Sequence, residues 1–385
     1  MSKVSLRDFP SSQKRREFLE KQLNIKLDNI SNFTFTEEQV TGRNIENLIG
    51  TTQIPLGIAG PLSVKGKAER VKEYYIPLAT TEGALVASVS RGCKAINESG
   101  GARVQVETVG ITRGPVFKTE GLDHSFKIKQ WVEDNFDLLS KVAASTSSHL
   151  KLLKTRCAHV GKNLFIRFSF DSTDAMGMNM ATIATQELIK VIEEKTNAKC
   201  ITVAGNFDID KKSAWLNFIE GRGKKVWAEV ILPKKVIKDV LKTTPQKIAE
   251  VVYRKNYLGS IMSGSLGFNA HFANIIAAVF LATGQDPAHV VEGSLGITTA
   301  ESLDNGDLYF SIYLPALVCG TVGGGTKLPT QKEAFQIMKI GSVLEYSEVL
   351  GAAVLAGELS LLASQAEGTL AKAHQRLSRK ERSHK

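Results

Sequence analysis

"HVGKNLFIRFSF", residues 159–170, sets aliphatic and aromatic residues around a Gly161-Lys162 pair and reads as a β-hairpin turning there. Working outward from this hairpin gives the order of a compact unit. Upstream, "RVQVETVGI" (103–111) reads as a strand, and two helical stretches follow between residues 122 and 153. Downstream, a helix over roughly 175–195 leads into the strand "CITVAG" (200–205). The resulting βααββαβ order predicts an α+β unit of about ninety residues inserted in a larger one.

Outside that unit the elements lengthen. "SQKRREFLEKQL" (12–23) is the clearest periodic piece of a polar, helical first stretch over 1–50. "TTEGALVASVSRGCKAIN" (80–97) predicts a helix opening near Thr81 and closing before Gly100-Gly101. "KKVWAEVILP" (224–233) and "DLYFSIYLPAL" (307–317) read as strands, and "GFNAHFANIIAAVFLATG" (267–284) as a helix buried on most sides. "TQKEAFQIMKI" (330–340) carries a helix-start signature at Thr330 and Glu333. A last helix covers "LGAAVLAGELSLLASQAEGTLAKAHQ" (350–375).

The chain has 385 residues, 43% hydrophobic and 23% charged, which suits a globular protein with a substantial core and argues against disorder. Its apolar runs, such as "IIAAVFLA" (275–282), fall short of the roughly 18 residues of a membrane span. The stretch near 349–363 is short and interrupted by Glu358. The N-terminus has no signal-peptide core, so a cytosolic protein without membrane association is expected. Cys93, Cys157, Cys200 and Cys319 form no CxxC pair, and the seven histidines form no ligand spacing, so no metal is expected. The formal charge of +10 raises nucleic acid as a partner. However, the last fourteen residues hold six Lys or Arg against one Glu, and the first thirty hold seven against four acids. Charge gathered at the ends, with no nucleic-acid-binding motif, argues against that partner.

Four places carry candidate chemistry. "GNFDIDKKSAW" (205–215) groups Asp208, Asp210, Lys211 and Lys212: a solvated turn, or a lysine aimed at a substrate oxygen beside a carboxylate. Glu82, in the first turn of its expected helix, is a capping residue or a proton donor whose pKa burial must raise. Asp286 follows an apolar helix at its unfavourable end; it is a plain turn residue, or an acid with a cationic partner or a raised pKa. His374, ending the last helix, is a solvated terminal residue or a general acid. Two Gly-containing turns, "DSTDAMGMNMATIA" (171–184) and "GTVGGGTKLP" (320–329), match neither GxGxxG nor a P-loop, though backbone amides at the first suit a phosphate.

Taken together, "ENLIGTTQIPLGIAGPL", "TTEGALVASVSRGCKAI", "GITRGP", "DAMGMN", "GNFDIDKK", "FIEGRGK", "NAHFANI", "GQD", "GTVGGGT" and "AGELSLLA…KAH" resemble 3-hydroxy-3-methylglutaryl-CoA (HMG-CoA) reductase, in the family's order from about residue 45 to 374. "DAMGMN" and "DKK" resemble the class I form of eukaryotes and archaea, here of the soluble prokaryotic type.

The resemblance implies reduction of HMG-CoA through mevaldyl-CoA and mevaldehyde to mevalonate and CoA with two NADPH, the committed step of the mevalonate route to isoprenoids. It implies Glu82, Lys211, Asp286 and His374 as the catalytic set: Lys211 for the oxyanion, Glu82 for mevaldehyde protonation, Asp286 tuning both, His374 for the CoA thiolate. Substrate contacts would fall to Arg113, Asp210, Lys212, Lys255 and Asn274, and CoA to Ser88, Ser90, Arg91, Lys94 and Lys242. The cofactor would rest on Asp174, Ala175, Met176, Gly177, Met178, Asn179 and Met180, near Ser147, Ser148, Asn206, Gly323, Gly324 and Gly325. The implied architecture is a ferredoxin-like cofactor domain at 114–202 inserted in a large substrate domain at 51–113 and 213–385, joined by a catalytic loop at 203–212. A homodimer with shared sites, or a tetramer, is implied as well. Three departures stand out: Ala204 where Ser is usual, Ser148 where Arg is usual (with Lys151 nearby), and Ser90 where Asn is usual. Alternatives are a related acyl-CoA reductase, an NAD(H) enzyme running in the oxidative direction, or a non-catalytic CoA- or nucleic-acid-binding protein.

Overall fold

The computed structural model describes residues 5–67 and 70–368, and eleven strands among them join in one continuous hydrogen-bonded sheet. They are β1 (Leu56–Lys65), β2 (Val71–Ala79), β3 (Ala102–Arg113), β4 (Val116–Lys118), β5 (Lys151–Val160), β6 (Asn163–Asp171), β7 (Lys199–Thr202), β8 (Gly223–Leu232), β9 (Gly267–Phe268), β10 (Gly296–Ser302) and β11 (Leu308–Leu317). Strand β3 belongs to both halves of this sheet. From Arg103 to Gly110 it runs antiparallel to β8, and from Ile111 to Arg113 it pairs with β6. The change of partner falls at a register shift between Thr108 and Gly110. Gly110 has φ +89°, and a Cβ there would stand 2.8 Å from the Phe170 carbonyl oxygen, so glycine is what lets the strand turn.

Two apolar cores lie on either side of that turn. The hairpin read from sequence is present as β5 and β6 around Gly161-Lys162. Leu164, Ile166, Phe168 and Phe170 of β6 are fully buried on one face, as a two-residue period demands. They cluster with Ile128 and Val132 of the Leu122–Asp134 helix, Leu139 of Phe136–Thr146, and Leu188 and Ile192 of Met178–Thr196. The helical reading to residue 153 overshoots: Ser147 leaves the helix with φ −166° and ψ 133°, and β5 starts at Lys151. The chain leaves and re-enters the larger sheet at one place, where Gly114 bridges Ala204 and its carbonyl accepts Gly205 N–H at 2.7 Å.

The second core is built around the Val343–Glu367 helix, which packs on the Leu85–Asn97 and Phe272–Thr283 helices and on β3 and β8. This helix is long and apolar enough to cross a membrane by composition, but 78% of its apolar window is buried inside the protein. Its one core charge, Glu358, is fully buried and accepts Ala270 N–H (2.9 Å), His271 N–H (2.6 Å) and Thr298 Oγ1 (2.7 Å). Those bonds hold 270–271 outside the following helix, so that helix begins at Phe272 and not at the predicted Gly267. Two other predicted starts move for local reasons. Ala84 in the left-handed region (φ +73°) delays the first large helix to Leu85, leaving Glu82 ahead of it. Pro329 takes the first position of the Pro329–Met338 helix, so Leu328 and not Thr330 precedes it.

Helix crossing against Val343–Glu367 requires the absence of a side chain at Gly92, where a Cβ would stand 1.9 Å from the Ala356 carbonyl oxygen. Gly92→Ala should therefore lower stability by about 2 kcal/mol or more, the order found for overpacked cores. Thermal unfolding of the two proteins side by side checks this, and an unchanged midpoint would contradict the packing described.

Candidate active site

The loop after β7 is bent against its own preferences. Asn206, Ile209 and Lys211 have φ of +63°, +56° and +56°, and none is glycine. A β-branched isoleucine there is strained, so surrounding bonds must hold it. Thr112 Oγ1 donates to Asp208 O at 2.8 Å, Asn217 Nδ2 to Ile209 O at 3.0 Å, and Lys211 N–H to Glu292 Oε1 at 2.6 Å.

This bend presents the Lys211 ammonium to Asp286, with Nζ 2.8 Å from Oδ2. Asp286 follows the Phe272–Thr283 helix and caps the Pro287–His289 turn, accepting Ala288 N–H at 3.0 Å. The hydrogen bond to Asp286 holds the lysine above its ordinary range, partial burial opposing. Burial pushes the Asp286 carboxyl up, but Lys211, the Ala288 N–H and His289 together take it below the usual carboxylate range. Both groups are therefore charged near neutrality. Of the readings open for Asp286, the structure supplies the cationic partner and removes the raised pKa.

Asp210 Oδ1 lies 2.9 Å from Arg222 Nη2, and Lys212 Nζ folds back to Asp210 O at 3.1 Å. Asp208 is buried and pairs with Arg113 Nη1 at 3.2 Å, while Arg113 Nε donates to Thr182 at 2.8 Å. Asp208 thus orients a predicted substrate arginine. Glu82 is exposed, ahead of its helix and not in the first turn, and accepts Asn274 Nδ2 at 2.7 Å. The burial its proton-donor reading called for is absent here. Lys255 lies half-buried in a π-helical turn over Val252–Gly259; burial lowers its pKa, and the nearby Glu358 opposes. His374 lies outside the described residues.

Among the expected CoA residues, Ser88 and Arg91 bind across to Ser360, and Arg91 also to Ser364, so both tie helices together. Lys94 faces Glu98 at 3.8 Å, Ser90 is half-buried, and Lys242 is exposed in the left-handed region with φ +61°. The two Gly-containing turns meet. Thr321 N–H donates to Asp174 O at 2.8 Å, Ala175 bridges Val322, and Asp174 Oδ1 accepts Val343 N–H at 2.8 Å. Gly177 (φ +90°) precedes Met178, Asn179 and Met180, the first turn of a nineteen-residue helix that has no side-chain cap. Gly323 and Gly324 border open space, and Gly325 packs on Gly284. Ser147 Oγ accepts His149 N–H at 3.2 Å, Ser148 is exposed, and Asn206 O accepts Ile209 N–H.

Sequence reasoning missed Arg222, His289 and Glu292, all fully buried beside Lys211. Arg222 stands in the quoted "FIEGRGK", and Asp286, His289 and Glu292 recur every three residues, a one-sided spacing that was available as a signal. Asp210, His289 and Glu292 bring ligand-type atoms within 4.8 Å of one another. Arg222 already lies 2.6 Å from Glu292 and 2.9 Å from Asp210, and its charge opposes a metal ion there.

The family model for hydroxymethylglutaryl-coenzyme A reductase matches residues 11–379. The chain belongs to that family. It is 52% identical over 374 residues to the 3-hydroxy-3-methylglutaryl-coenzyme A reductase of Methanocaldococcus jannaschii, spanning 95% of this chain and 92% of that one. It is 41% identical to 3-hydroxy-3-methylglutaryl-coenzyme A reductase 1 of Hevea brasiliensis, over 95% of this chain and 65% of the relative. Among solved structures, the class II reductase of Streptococcus pneumoniae bound to NADPH in open conformations superposes with TM-score 0.70 at 18% identity, covering 95% and 100% of the two chains. That likeness supports the mixed α and β fold with its large sheet.

The pair of Lys211 and Asp286 has a pH signature. A carboxyl whose folded pKa is depressed contributes stability that is present above its unfolded pKa of about 3.9 and lost as pH falls through the folded value. Asp286→Asn should thus destabilise at pH 7, with the gap from the parent closing as pH drops below about 4. Urea unfolding at pH 7 and pH 3 tests it; a gap that is constant with pH would contradict the ion pair.

Proposed function

We propose that the chain reduces HMG-CoA to mevalonate and CoA with NADPH, and that Lys211, Asp286, Glu82 and His374 carry the chemistry. The observation that carries this reading is the Lys211 ammonium, fixed on a strained loop and kept charged by Asp286 at 2.8 Å. A lysine so held meets negative charge developing on a thioester or aldehyde oxygen without having to reorganise. Glu82, oriented by Asn274, takes proton delivery to the second alkoxide on the strength of the family resemblance and not of burial. Return of a proton to the CoA thiolate falls to His374.

NADPH fits the meeting of the two Gly-containing turns. Uncapped amides at Met178–Met180 suit a phosphate, and the bare Gly323-Gly324 turn leaves room for a flat ring. When bound, the cofactor supplies the electron pairs for both reductions. Asp174 joins the turns by its carbonyl and ties them to the start of the Val343–Glu367 helix by its side chain, so it shapes the site without reacting. Residues 114–202 would form the cofactor-binding unit, and 51–113 with 213–385 the substrate unit. Arg113, Asp210, Lys212, Lys255 and Asn274 would serve as substrate contacts, and Lys242, exposed and basic, suits CoA phosphates. The class I reading is supported by 41% identity to the plant reductase against 18% to the class II structure. Exposed Leu56, Ile58 and Tyr75 on β1 and β2 suit a homo-oligomer, and burial of the Val343–Glu367 helix suits a soluble, cytoplasmic protein.

An absorbance assay with HMG-CoA and either nicotinamide cofactor tests the reading, with Lys211→Ala expected to lower kcat by about 100-fold or more. No HMG-CoA-dependent oxidation of either cofactor would overturn it. Because Ser148 lacks a guanidinium for the 2′-phosphate, the preference for NADPH over NADH should be smaller than in a variant carrying Ser148→Arg. Equal preference in the two proteins would refute that role.

A further inference from the structure

Polar groups gather around Lys211. Its backbone N–H donates to Glu292 Oε1 at 2.6 Å, and its ammonium reaches Asp286 Oδ2 at 2.8 Å. Near both carboxylates lies the His289 imidazole, fully buried, with Nδ1 3.4 Å from Glu292 Oε2 and Nε2 3.8 Å from Asp286 Oδ2 and no hydrogen bond from either nitrogen. Glu292 is itself fully buried, and its Oε1 also accepts Arg222 Nη1 at 2.6 Å. One carboxylate oxygen therefore serves a guanidinium and the amide of a residue held at φ +56°.

A carboxylate without exposure is costly unless its oxygens are used, and Arg222 alone would satisfy its charge. The additional bond to Lys211 N–H does something different. It fixes the left-handed backbone from which the lysine side chain departs. From this arrangement we infer that Glu292 is a positioning residue: it sets the Lys211 backbone, so the ammonium is aimed before substrate arrives. The inference rests on the proposed function for its kinetic readout but has a structural readout of its own.

Two substitutions separate positioning from simple charge pairing. Glu292→Asp keeps a negative charge beside Arg222, which Asp210 also pairs at 2.9 Å, but draws the shared oxygen back by one methylene and leaves Lys211 N–H without that acceptor. Glu292→Gln keeps the reach and loses the charge. Positioning predicts that E292D is the worse enzyme, with kcat down about 100-fold and KM for both substrates within about threefold, because misplacement of a catalytic group costs that order. E292Q should retain most of the lost rate. A residue that served only as partner to Arg222 would give the reverse order, and that result would overturn the inference. Hydrogen exchange of the peptide spanning 205–212 should quicken in E292D more than in E292Q; unchanged exchange in E292D would overturn it as well. Absence of turnover in the parent would refute the proposed function and leave the exchange comparison to decide this one. Should E292D not fold, E292Q carries the test: a kcat within about threefold of the parent is expected, and a loss of about 100-fold would overturn the inference.

Discussion

A guanidinium with no exposure to water, that of Arg222, is the constraint from which the site follows. Its Nη1 meets Glu292, Nη2 lies against Asp210 and Met178 Sδ, and Nε donates to Thr112 Oγ1 at 2.9 Å. These partners come from the turn after the Phe272–Thr283 helix, the strained loop, the helix of the smaller core and the end of β3. Each partner alone could sit elsewhere; the cost of leaving a buried cation unpaired, of the order of 3–5 kcal/mol when one partner is removed, obliges them to meet. The lysine is therefore positioned by a charge it does not touch.

The Lys211–Asp286 pair works in a different dielectric. Both side chains keep about a third of their surface in solvent (40% and 32%), so their attraction is modest and their charges remain available. Deep burial fixes geometry at Arg222 and Glu292, whereas partial exposure keeps the Lys211 ammonium accessible. The fold separates the two requirements by a single residue, since the Lys211 backbone faces inward to Glu292 and its side chain faces out.

What the sequence disclosed follows the same division. The β5–β6 hairpin was legible because buried Leu164, Ile166, Phe168 and Phe170 alternate with other residues over a two-residue turn, a local pattern. The predicted starts of three helices shifted because Ala84, Glu358 and Pro329 impose conditions that periodicity does not register. Lys211 with a neighbouring acid was visible in one loop and Asp286 at the end of its helix, but their pairing came into view through family resemblance, the two being far apart along the chain. Asp208, without a role on sequence grounds, acquires one through Arg113, 95 residues away. Arg222 lay in a quoted motif, yet nothing in its neighbours tells a buried arginine from a surface one.

The bridge between Gly114 and Ala204 also bears on how the chain reaches this arrangement. The ends of the intervening segment are fastened to each other by the Gly205–Gly114 hydrogen bond, so from the larger sheet the segment is a closed detour. Closing a detour costs free energy that grows only with the logarithm of its length. Residues can thus be added or removed within it at little expense to the rest of the chain. The same fastening lies one residue from Arg113 and from Gly205, where the strained loop begins, so the crossing between the two cores and the Lys211 loop share one anchor.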